Sequence, residues 1–155
     1  GDANPDYYYG LNVKLSYKNW DFGFNSHGSF GYMVFNDFAS NNSSSYFDVN
    51  AGNLPNYAYA VKRTGFTAQN SDRQYLTDLF IEDASFFRMD DINFGYTFKE
   101  IDNWNGNIRV AVSCQNVFVI TKYSGVDPEV NNTNGVDGAF WPRPRTFSVR
   151  LNLNF

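Results

Sequence analysis

His27 is the only histidine and Cys114 the only cysteine of the chain, so the two side chains best suited to general-base or nucleophilic work are each present once. A hydrolytic site needs a nucleophile held against the imidazole, and the sequence defines no partner for His27. Its neighbours alternate in polarity and place it on a polar face, where a hydrogen bond to another polar group is the simpler role. Cys114 has no second cysteine to pair with, and a lone thiol within a strand pattern acts as a small apolar residue. Asp127, Glu129 and Asp137 in "GVDPEVNNTNGVDG" carry the oxygen ligands of a calcium site. Their spacing matches no calcium loop, and Asp-Pro and Asp-Gly are turn signals first. The last cluster is "GAFWPRP" with the arginine after it, which gathers Phe140, Trp141, Arg143 and Arg145. Rings stack on sugars and peptide planes and guanidinium forks hold carboxylates, and Tyr123 lies in the same loop. An interfacial aromatic girdle would use the same rings. Neither an enzymatic activity nor a cofactor is expected.

The elements that must position these residues have a period of two, which puts alternate side chains on opposite faces of a strand. "YGLNVKLSY" aligns Tyr9, Leu11, Val13, Leu15 and Tyr17. After the turn "KNWD", "WDFGFNSHGSFGY" aligns Trp20, Phe22, Phe24, Phe30 and Tyr32 against Asp21, Gly23, Asn25, His27 and Ser29, which predicts a hairpin. "INFGYTF" is a third strand, with Ile92, Phe94, Tyr96 and Phe98 on one face; Phe87 and Met89 before it have the opposite parity, and a bulge near Asp90-Asp91 reconciles the halves. "KEIDNWNG" then leads to "NIRVAVSCQNVFVI", and a second long loop delivers "RTFSVRLNLNF". About Val34 to Ala84 reads as irregular, with a helical turn around Ser71 and Gln74.

Aromatics are 19% of the chain, with sixteen Phe, eleven Tyr and three Trp, yet the mean hydropathy is -0.46. Large amphipathic rings must therefore lie on surfaces. A net charge of -4 with no basic stripe argues against nucleic acid as a partner. No apolar run reaches the roughly 18 residues of a spanning helix, but a barrel wall needs none, because its alternate residues face the lumen. The strands look long enough for the roughly 9–11 residues of a tilted crossing. Short turns alternate with long loops, the asymmetry of periplasmic turns and extracellular loops. Rings gather at the strand ends: Tyr17, Trp20, Phe22, Tyr96, Phe98 and Phe155 at one, Phe30, Tyr32, Phe118 and Phe147 at the other. The expected fold is all-β, an antiparallel transmembrane β-barrel segment of about five strands, too few to close when roughly eight are needed. The competing reading is a secreted β-sandwich carbohydrate-binding module, whose aromatics would bind glycans.

"GDANPDYYYGLNVKLSYKNWDFGF", "IEDASFFRMDDINFGYTF", "RVAVSCQNVFVITKYSGVDPEVN" and "PRPRTFSVRLNLNF" resemble, in order and spacing, the C-terminal end of SusC-like TonB-dependent outer-membrane transporters. The resemblance implies that residues 1–155 are the C-terminal part of a barrel of about 22 strands, the plug and the other strands lying elsewhere. It implies import energised through TonB and a SusD-like surface lipoprotein that lids the barrel and captures glycans or peptides. Outer-membrane lipid would surround the wall, and Phe155 would be the signal read by the assembly machinery. Asn25, His27, Asn93, Arg109, Gln115 and Arg150 would then face the lumen or plug, and Tyr123, Phe140, Trp141 and Arg143 would meet substrate or lid.

Overall fold

The computed structural model describes residues 1–41, 78–101, 104–129, 135–138 and 141–155. Contacts divide the chain into two compact units. The first is a wall made of Asp6–Phe30, Phe86–Thr121 and Arg143–Phe155. The second is a loop unit made of Gly1–Pro5, Gly31–Ser85 and Lys122–Pro142.

The wall is a single antiparallel sheet. β1 (Tyr7–Tyr17) and β2 (Trp20–Phe30) form a hairpin closed by Lys18 and Asn19. Lys18 takes φ 54°, the left-handed backbone that a two-residue hairpin turn requires. β2 pairs with β5 (Phe86–Ile101), β5 with β6 (Trp104–Thr121), and β6 with β8 (Thr146–Asn154), giving the order β1-β2-β5-β6-β8. The predicted eight-residue connection "KEIDNWNG" is mostly strand: β5 and β6 continue through Lys99↔Asn107 to Ile101↔Trp104. β5 has 16 residues and β6 has 18, well above the usual 5–6 of a globular strand.

Register fixes the faces. Val13↔Phe24, Phe22↔Phe94, Phe94↔Val112 and Val112↔Val149 put apolar side chains opposite one another across all five strands. The intervening rungs, such as Gly23↔Asn93, Asn93↔Ser113 and Ser113↔Ser148, form the other face. Among the described residues the apolar face is uncovered: Leu15 is 59% exposed, Val149 78% and Leu151 60%. That excludes the sandwich, whose apolar face would be packed against a second sheet. Rings cluster at both ends of this face. Trp20 lies 4.9 Å from Phe94 and 4.4 Å from Tyr96; at the far end Tyr9 stacks on Phe30 and on Phe87, which stacks on Phe118.

The loop unit contains β3 (Met33–Asn36), a short α1 (Asp37–Asn41), a 3-10 turn at Asp78–Phe80, β4 (Ile81–Asp83) and β7 (Val136–Asp137). β3 is central, antiparallel to β4 and parallel to β7. The two described ends of the stretch read as irregular, 34–41 and 78–84, therefore hold regular structure, because pairing supplied by the distant 136–137 segment makes a strand that no local pattern marks. The turn expected at Ser71 and Gln74 lies outside the described residues. Tyr32 corrects the girdle assignment. β2 ends at Phe30, Gly31 turns the chain with φ 80°, and Tyr32 is buried with its hydroxyl donating to the Pro128 carbonyl at 2.8 Å. Val34, Phe80 and Ala84 complete this core.

Candidate functional site

Polar side chains on the wall converge on the face opposite the exposed apolar one. Asp21 on β2 and Arg109 on β6 meet across β5 in a two-pronged ion pair, Nε to Oδ1 at 2.9 Å and Nη2 to Oδ2 at 2.5 Å. They are two strands apart and can meet because Gly95 is the residue between them: a Cβ there would strike both the carboxylate and the guanidinium. A planar guanidinium with two bonds to one carboxylate is held in orientation as well as in charge.

A second chain of contacts starts on β1. Asn12 donates to Asn25, and Asn25 donates to Asp91 at 2.5 Å. His27 Nδ1 lies 2.6 Å from Asp90 Oδ2, with the Phe86 ring edge-on at 5.5 Å. The imidazole therefore meets a carboxylate, which orients the ring. Arg88, 3% exposed, donates to Asn116 at 3.0 Å. Asn116 takes φ 51°; its side-chain amide donates to the Arg143 carbonyl at 2.6 Å, and its own carbonyl accepts from Arg145 at 3.3 Å.

Between these groups Asp91, Asn93, Arg109, Ser113, Gln115 and Arg150 line a concavity of about 360 Å³. Four of the six residues expected to face the lumen thus share one hollow, while Asn25 and His27 lie on the same face beside it. Sequence reading gave none of their partners Asp21, Arg88, Asp91 and Asn116 a site role. Parity put Asp21 on the polar face and a bulge near Asp90-Asp91, but the Arg88–Asn116 contact also depends on the left-handed Asn116 of β6, which alternation does not mark. Cys114 lies opposite Ile92 and Phe147 among the outward apolar residues, as a small apolar side chain would.

The residues proposed for capture are dispersed. Tyr123 is 6% exposed and belongs to the core of the loop unit, donating its hydroxyl to Asp137 at 2.7 Å. Burial first, and that carboxylate second, push its phenol well above the ordinary tyrosine range. It is therefore a core residue and corrects the expectation of a contact residue. Trp141 is 94% exposed, Arg143 is exposed, and Phe140 lies outside the described residues. Of the calcium candidates, Asp127 accepts from the Glu129 amide at 3.0 Å, closing its own turn, and Asp137 is buried against Tyr123. Among the described residues no three His, Cys, Asp or Glu side chains form a metal-holding group. Glu82 ties the unit together, accepting from the Ser124 amide at 2.8 Å and hydroxyl at 2.7 Å and from Asn36 at 3.2 Å. Asp83 is held below the usual carboxylate range by the Ser85 hydroxyl and amide. Phe155 is fully exposed.

No protein-family model matches the chain. Among curated proteins, TonB-dependent receptor SusC of Bacteroides thetaiotaomicron is 37% identical over 156 residues, covering 94% of this chain. TonB-dependent receptor P3 of Formosa agariphila is 32% identical over 175 residues and covers all of it. The chain spans 15% of the first relative's length and 17% of the second's. Among solved structures, the RagAB peptide importer in its "closed-closed" state superposes with a TM-score of 0.68 at 18% identity, over 99% of this chain and 18% of that one. The "open-open" state gives 0.66.

Proposed function

Since the chain belongs to the SusC-like TonB-dependent receptors as a segment of their β-barrel, we propose that it is the C-terminal part of an outer-membrane wall through which an oligomeric nutrient is imported. The observation that carries this reading is the uncovered apolar face: hydrocarbon is the solvent that makes exposed Val149, Leu151 and Leu15 favourable. The opposite face, with the Asp21–Arg109 pair and the hollow lined by Asn93, Gln115 and Arg150, then faces the lumen and the plug. Strands β1 and β8 pair with further strands of the longer protein, since an unpaired backbone edge in lipid leaves every N–H and C=O without a partner.

Transport through such a wall involves no bond chemistry. The plug fills the lumen, TonB supplies the energy to displace it, and a SusD-like lipoprotein covers the outer mouth and captures a glycan or peptide. Trp141 and Arg143, together with Phe140, supply stacking and carboxylate-binding groups for that capture. Two experiments test the reading together. Affinity purification of the full-length receptor from detergent extracts is expected to recover a surface lipoprotein. Deletion of the receptor is expected to abolish growth on one class of glycan or peptide. Recovery of no lipoprotein, with growth unchanged on every such substrate, would overturn it.

A further inference from the structure

Parity in β5 poses a problem that the only histidine solves. Ile92, Phe94 and Tyr96 face outward with Phe24, Phe22 and Trp20. Uninterrupted alternation would carry that face on to Asp90 and Arg88, placing two charges in hydrocarbon and turning Phe87 and Met89 inward. In the structure the register steps from Asn25↔Asp91 to Ser26↔Met89, so Asp90 is an extra residue with no partner on β2. That single insertion returns Phe87 to the outer aromatic cluster, where it stacks with Tyr9 and Phe118, and turns Arg88 inward to Asn116.

A bulge leaves its extra residue outside the ladder, so something else must hold it. Here the holder is His27, whose Nδ1 lies 2.6 Å from the Asp90 carboxylate and which stands in register with Arg88. β6 departs from regularity at the same level: between Met89↔Phe118 and Asp91↔Gln115 it spends one residue more than β5, and Asn116 there has the left-handed φ. The two inward residues in register, His27 and Arg88, thus each hold one irregular position, Asp90 and Asn116.

We propose that His27 is a positioning residue that selects the bulged register of β5 during barrel assembly, and so decides that Phe87 and Met89 rather than Arg88 and Asp90 face lipid. The slipped alternative is within reach because a one-residue shift leaves the backbone able to pair with new partners while inverting the faces. This inference rests on the outward face meeting lipid, and the test separates the two.

Single reporter cysteines are placed in the full-length receptor, freed of other thiols by changes that include Cys114→Ser, and probed in outer-membrane vesicles with a water-soluble maleimide. With His27 present, Phe87→Cys stays unlabelled. In His27→Leu, Phe87→Cys becomes labelled and the heat-modifiable barrel falls by about tenfold or more, as two charges in the bilayer require. His27→Gln, which still donates to Asp90, restores both readings. Deleting Asp90 in the His27→Leu background also restores assembly, because removing the residue that has no partner on β2 returns Phe87 to the outer face with β5 in unbroken register against β2. That last arm decides the matter even if His27→Leu alone yields no barrel, since a packing role against Phe86 would not be rescued by it. Normal assembly of His27→Leu with Phe87→Cys unlabelled, or no rescue on deletion of Asp90, overturns the proposal. A control at Phe94→Cys that labels in the unaltered background refutes the lipid-facing wall instead.

Discussion

In the loop unit Val34 is 1% exposed and Phe80 2%, whereas in the wall Val149 is 78% exposed and Phe147 76%. The polar residues are inverted in step. Asn36 and Asp137 are buried at 1% and 2%, each hydrogen-bonded, while the polar face of the wall lines an open hollow. One chain is thus written for two solvents. The loop unit hides apolar groups from water by ordinary core packing. The outward face of the wall has no core of its own, so its exposed apolar residues are stabilised only when something apolar from outside the chain lies against them.

Four tests would break or sharpen that contrast, all made in the full-length receptor. The largest effect is expected for Phe80→Ala, which empties a core with no solvent able to refill it and costs about 3–5 kcal/mol. Leu151→Ala should cost far less, because lipid chains close over the lost volume. Hydrogen exchange over residues 78–85 and over β8 would read the two separately, and equal losses would erase the contrast. Next comes charge on the wall: Val149→Arg is expected to cost about 2–4 kcal/mol near the bilayer midplane, while Ser148→Arg is milder. The yield of heat-modifiable barrel measures it.

Smaller again, Tyr123→Phe strips Asp137 of a donor in a buried place and should cost about 1–3 kcal/mol, seen as faster proteolysis of the loop unit. The same pair predicts a pH dependence. A phenol raised above its unfolded value contributes stability that is complete below the ordinary tyrosine range and is lost as pH rises through it, because the unfolded chain ionises first. Alkaline loss of the loop unit should therefore be less steep in Tyr123→Phe. The smallest effect concerns Asp83, whose depressed carboxyl contributes stability above its unfolded value and loses it as pH falls through the folded one. Ser85→Ala should raise the Asp83 titration midpoint, as followed by NMR, and change stability little, since the group lies near the surface.

The contrast also explains which parts were legible in the sequence. The wall was, because period-two alternation is a local signal: β1 and β8 follow it without interruption, and the opposed parity of Phe87 and Ile92 put a bulge near Asp90-Asp91, where the register shifts. The loop unit was not. β3 is a strand because Phe35 and Asn36 pair with Val136 and Asp137 a hundred residues later, and no window around Val34 contains that information. Tyr32 and Tyr123 read as surface rings for the same reason: their burial is set by Pro128 and Asp137, contacts that only the folded loops create. On the polar face alternation supplied the residues, but the pairing of Asp21 with Arg109 required knowing that Gly95 separates them.

The central claim, that the uncovered face of the wall meets lipid, is tested most directly along β8, where faces alternate residue by residue opposite β6. Single cysteines at positions 147–153, in the full-length receptor freed of other thiols by changes that include Cys114→Ser, are probed in outer-membrane vesicles with a water-soluble maleimide and, after labelling with a fluorophore, with a lipid-phase quencher. The maleimide should reach Ser148→Cys, Arg150→Cys and Asn152→Cys, and the quencher should reach Val149→Cys, Leu151→Cys and Leu153→Cys. The reverse pattern, or uniform access of the maleimide to all six, would contradict it.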